Sequence, residues 1–169
     1  MLNFFGEFKT LCFELAAEQL DAWRKWSIFT EFEIARMTEV EFTSEFLILM
    51  LTGDIAGKNQ AAIRKYYKDL DRKFPQKGEL SRRFRHVMSV IETEFGRKLA
   101  KTGARGRAIF CGLFASMYTL SYGSEKLTEY RKQPSVISAK DLARIRECDV
   151  NIADGTAPNP ALFIRQHKV

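Results

Sequence analysis

The stretch TEVEFTSEFLILML, residues 38–51, decides between strand and helix for this chain. Taken alone, its last part, FLILML, is as compatible with a buried strand as with a buried helix. The residues before it break the tie. Phe42, Phe46, Leu49 and Met50 recur at the three- and four-residue steps that line one helix face. Thr38 and Glu41 have the spacing of a capping box, in which hydroxyl and carboxylate each satisfy a backbone N–H of the first turn. Gly53 stands where a helix closes in left-handed backbone. The stretch is therefore expected to be a buried helix starting at Thr38.

The next residues, LTGDIAGKNQ at 51–60, look like a loop that cradles phosphate. A P-loop needs one more residue between its glycines than Gly53 and Gly57 enclose, and a Ser or Thr where Asn59 follows Lys58. It also needs a strand in front, where this chain has a helix signal. The segment is expected to be a joint between helices, with no nucleotide held by Lys58.

Helical signals continue in both directions. Phe8, Leu11, Cys12, Leu15 and Ala16 recur at helical spacing upstream. Amphipathic segments follow at 59–70 and 81–100, the latter carrying Phe84, Val87, Met88, Ile91 and Phe95 on one side. An apolar helix is expected over 108–122, and Ser138 with Asp141 repeats the capping-box spacing. No run of alternating β-branched residues occurs. The expectation is an all-α fold, an irregular bundle of about six or seven helices. Residues 1–150 form one helical domain, and 151–169, containing DGTAPNP, form a loop-like tail or linker.

Composition narrows the function classes. Of 169 residues 46% are apolar, and fourteen phenylalanines supply much of the burial, as in a folded domain. Cys12, Cys111 and Cys148 stand far apart with no Cys or His partner at metal spacing, which points away from a zinc site or disulfide framework. No signal peptide and no membrane-length apolar run is found, so a cytoplasmic protein is expected. The net charge of +6 divides unevenly. Residues 1–54 hold 4 Lys/Arg against 10 Asp/Glu, and residues 55–169 hold 23 against 11. Such asymmetry suits a nucleic-acid surface at the basic end, or a partner docked on the acidic one.

No enzyme signature emerges. His86 and His167 lack ligand partners at metal spacing, and His86 sits among Arg82, Arg83 and Arg85. The carboxylates between Glu31 and Glu45 are spaced as the solvated face of a capped helix. Neither serine nor cysteine has an organised base beside it. No catalytic residue, cofactor or metal ligand is nominated. Trp23 and Trp26 are read as core or as a contact with another domain.

The basic residues carry more. Between Glu79 and Arg107 stand eight Lys/Arg against three acids, and Lys101, Arg105 and Arg107 surround Gly103 and Gly106 in KTGARGR. Glycine lets a backbone approach phosphate closely, and arginine meets phosphate through paired donors. Arg82, Arg83, Arg85, Lys101, Arg105 and Arg107 are the expected contacts for DNA or another polyanion.

The order GEFKTLCFELA, RMTEVEFTSEFLILMLTG and KNQAAIRKYYKDLD resembles the helical part of GmrSD-type restriction proteins. The Arg36-Met37 pair, the acidic helix start after it and IRKYY carry the resemblance, which covers 2–122. In that family a ParB-like N-terminal domain precedes such helices. Its nucleotide-hydrolysing or nuclease chemistry lies in an Asp-Gly-Gln-Gln-Arg type motif upstream and a His-Asn-His domain downstream. Neither motif is present here, so no catalytic residue carries over. The resemblance implies a fragment or split subunit: a scaffold and nucleic-acid-contacting module of a prokaryotic defence protein, with the missing N-terminal domain as a partner. The alternative is a protein–protein interaction subunit that docks its partner through the acidic end and the tryptophans.

Overall fold

The structure, a computed structural model, describes residues 6–53, 60–70, 72–123, 127 and 132–153. Among them are eight α-helices: α1 Glu7–Glu18, α2 Leu20–Lys25, α3 Glu31–Ala35, α4 Thr38–Thr52, α5 Gln60–Asp69, α6 Lys77–Phe95, α7 Arg107–Tyr122 and α8 Ala139–Ala153. Two 3-10 helices, Gly96–Lys101 and Gly103–Arg105, join α6 to α7. No strand occurs among the described residues, and the all-α expectation holds.

The deciding stretch is helical and central. Val40, Phe42, Thr43, Ser44, Phe46, Leu47, Ile48, Leu49 and Met50 are all buried, so α4 is enclosed on most sides beyond its first turn, with Glu45 and Thr52 partly exposed. That is more burial than the one-sided stripe implied, because α1, α5, α6 and α7 all pack around it. Its buried hydroxyls are satisfied within the helix, Thr43 donating to Glu39 O and Ser44 to Val40 O, each at 2.8 Å. Gly53 closes it in left-handed backbone, φ 75°, as the glycine signal required.

The start of α4 differs from the reading. Thr38 is already helical, and the residue before it, Met37, enters at φ 60° with no side-chain cap. The capping box lies one element earlier. The Thr30 hydroxyl accepts from Glu33 N at 3.3 Å, while Glu33 takes the Thr30 N–H at 2.9 Å. Two capping-box spacings compete within nine residues, and the one preceded by extended backbone forms.

The core is aromatic. Trp23 and Trp26 are both fully buried and meet edge to face at 6.0 Å, with Phe110 against each of them. Phe46 stacks on Phe114 at 4.2 Å and meets Phe42 at 4.6 Å. Such pairs add roughly 0.5–1.5 kcal/mol each beyond their buried area. Burial also pushes the thiols of Cys12 and Cys111 up to about 12, which keeps both un-ionised.

Later elements follow the sequence closely, with shifted ends. α6 begins four residues before Ser81 and stops at Gly96, where φ 49° turns the chain into the 3-10 helices rather than on to Ala100. The Ser138 hydroxyl accepts from Asp141 N at 3.1 Å, as its spacing implied. α8 then runs through Ala153, past the boundary set at 150, because no Gly or Pro breaks it before Gly155. Residues 154–169 and the joint residues 54–59, Lys58 included, lie outside the described set. No helix of the described residues is long and apolar enough to cross a membrane.

Candidate nucleic-acid interface

The connection between α6 and α7 is built by short-range constraints. Leu99 and Ala104 are buried and pin both 3-10 helices to the core. Thr102 holds the junction, donating to Leu99 O at 2.8 Å and accepting from Ala104 N at 3.2 Å. The indole N–H of Trp26 fixes the entry by donating to Gly96 O at 3.0 Å. Gly106 closes the exit, where an added Cβ would meet Gly103 O at 3.3 Å. The glycines of KTGARGR thus serve tight turns.

Around the buried anchors the charged residues face outward. Arg97, Lys98, Lys101 and Arg105 are exposed, and none forms an ion pair with a described residue. α7 starts directly after them, with Gly106 as N-cap, no side-chain acceptor and no acid in its first turn. The positive end of that helix adds to their field. The result is a rigid backbone carrying four cations.

The other predicted contacts are placed differently. Arg83 is buried at 3% exposure, donating to Glu79 Oε1 at 2.6 Å and to the Tyr118 hydroxyl at 3.0 Å. Its guanidinium also lies over the Tyr122 ring, 4.6 Å from the centroid. A charge spent inside the protein offers nothing to a ligand, so Arg83 leaves the surface set. Arg82 shares the Glu79 carboxylate and donates to Lys132 O at 2.7 Å. Burial opposes ionisation of Glu79, but the hydrogen bonds from Arg82 and Arg83 together hold its pKa below the ordinary value. Arg85 makes two 2.7 Å hydrogen bonds to Glu18, which lower the Glu18 pKa and tie α6 to α1. Arg107 is half-buried, 3.2 Å from Glu33 and over the Phe29 ring. Of the six predicted residues, only Lys101 and Arg105 are exposed without an ion pair to a described residue. Arg97 and Lys98 complete the patch. The signal for them was the run of cations after Gly96.

Within the acidic stretch Glu31 and Glu41 are exposed as read, and one residue departs. Glu39 is buried at 6% exposure with Oε2 unpartnered among the described residues, rather than on a solvated face, and burial raises its pKa. Both tryptophans are core, which removes them as docking groups. His86 is half-buried with its ring edge on Tyr122, and burial, then the nearby Arg82 charge, lowers its pKa. Among the described residues no three His, Cys, Asp or Glu side chains gather closely enough to hold a metal ion.

Compared with models of known families, with characterised proteins and with solved structures, the chain matches none.

Proposed function

We propose that this chain is a helical scaffold that contacts the phosphate backbone of nucleic acid, as a module of a prokaryotic, cytoplasmic defence protein of the restriction type. One observation carries the reading: Arg97, Lys98, Lys101 and Arg105 stand exposed and without ion pairs among the described residues on a backbone fixed by Leu99 and Ala104. An anchored backbone confines the ordering cost to the side chains when a polyanion arrives, and phosphate contact needs no sequence-specific groove. The defence context is supported by the segment order that resembles GmrSD-type proteins, whose three stretches fall on α1, α4 and α5. The full parent protein would supply the catalysis.

The test is duplex DNA binding by fluorescence anisotropy across a salt series. Lys101→Gln with Arg105→Gln should weaken binding equally on unrelated sequences and flatten the log–log salt slope by up to about two units. Thermal unfolding should stay within about 0.5 kcal/mol of the parent. A double variant that binds like the parent overturns this assignment.

A second reading keeps one specific observation. Phe32 and Met37 are 64% and 53% exposed, and Arg36 lies over the Phe32 ring at 4.3 Å. Large apolar side chains exposed beside Glu31 and Glu33 suit a partner domain. Under this reading Phe32→Asp with Met37→Asp abolishes co-purification with an adjoining ParB-like domain and leaves duplex affinity unchanged.

A further inference from the structure

We infer that α5 presents a second phosphate-binding face, on which Arg64, Lys65 and Lys68, continued by Arg72 and Lys73, engage the backbone of duplex nucleic acid. This rests on the nucleic-acid reading above but on different residues at the other end of α6. All five side chains are exposed, and none forms an ion pair with a described residue. Outside α5 and the 3-10 connection, several surface cations are neutralised: Arg24 on Glu31, Lys25 on Glu92, Lys77 on Glu14, Arg85 on Glu18 and Arg146 on Glu94. On α5 Arg64 and Lys68 lie one turn apart, where like charges weaken a helix. The positive face is kept against that cost.

The chemistry of the occupant follows from what α5 has already used. Ile63 is buried, the Tyr66 and Tyr67 rings lie 6.5 and 5.8 Å from Phe8, and the Tyr67 hydroxyl is 2.6 Å from Ser44 Oγ. Among the described residues of α5 no large apolar side chain is exposed to enter a lipid layer or a partner's groove, so charge is what the helix offers. Arg64 and Lys68 are separated by about 6 Å along the helix axis. Duplex DNA presents a phosphate about every 3.4 Å of its axis along each strand, a spacing that the reach of Arg and Lys side chains can match. α5 leads into the start of α6 and the 3-10 connection leaves its end. α6, with 19 residues, is about 28 Å long, and the two patches flank it in sequence on either side.

The experiment removes α5 charge in two backgrounds, the parent and the Lys101→Gln, Arg105→Gln protein, using a 20-base-pair duplex. Arg64→Gln with Lys65→Gln and Lys68→Gln keeps good helix formers, and circular dichroism checks the fold. The expected result is that the loop variant retains salt-dependent binding, which the α5 changes remove with a slope loss of up to about three units. Arg64→Lys with Lys65→Arg and Lys68→Arg, which keeps the charge, retains it. Residual binding indifferent to α5 charge overturns the inference, as does a loop variant with no residual binding, which leaves the proposed function standing. Loss on α5 neutralisation alone, with the loop variant unaffected, supports α5 and sinks the loop assignment. Absence of duplex binding by the parent overturns both. Loss of binding to phosphatidylserine vesicles, with duplex binding intact, reassigns the face to membranes and overturns the inference.

Discussion

Arg83 donates from Nε to Oε1 of Glu79 at 2.6 Å, and both side chains are buried, at 3% and 5% exposure. The pair explains why a cluster of arginines in sequence does not become a cluster of charges on the surface. Removing the guanidinium leaves Glu79 with Arg82 alone, in a site that disfavours a lone carboxylate. Arg83→Ala should therefore cost about 3 kcal/mol in urea denaturation. Duplex affinity of the folded variant should equal that of the parent. A folded Arg83→Ala protein with parental stability and lost DNA binding would return Arg83 to the interface.

Glu39 predicts a pH dependence of the opposite sense to the paired carboxylates. Burial raises its folded pKa above the ordinary 4.5, so the folded state favours the protonated form. Its stabilising share is complete below pH 4.5 and is lost as pH rises through the folded pKa. Glu39→Gln should accordingly melt above the parent at pH 7, with the gap closing near pH 4. Melting curves showing the same gap at both pH values would mean that burial does not raise the Glu39 pKa on folding.

Met37 enters α4 at φ 60°, a left-handed conformation that costs a non-glycine residue about 1 kcal/mol. Its side chain is half exposed and contributes little burial in return. Met37→Asn should raise stability by roughly 0.5–1 kcal/mol, read as a higher melting temperature. A lower melting temperature would show that the Met37 side chain is needed where it stands.

How far the sequence revealed the molecule depends on the range of the signal. Phe42, Phe46 and Gly53 defined α4 because periodicity and a glycine terminus act within a turn or two. The capping box was misplaced from Thr30 to Thr38 because both have the same spacing, and the backbone before each decides. The Glu79–Arg82 and Glu79–Arg83 pairs were legible in principle, at helical i,i+3 and i,i+4 spacing. The partners of Arg85 and Arg107 were not. Glu18 is 67 residues from Arg85, and only the packing of α6 on α1 brings them together. Lys101 and Arg105 stay exposed because Leu99 and Ala104 take the inward positions of a 3-10 connection that helical periodicity does not describe.

The central claim is tested most directly by the salt dependence of parental binding to duplex DNA. Four cations that each neutralise a phosphate predict that log affinity falls linearly with log salt, with a slope of about −3 or steeper. Affinity should be similar for unrelated sequences. No measurable binding at low salt, or a slope near zero, would contradict the account and leave the exposed Phe32 and Met37 as the working surface.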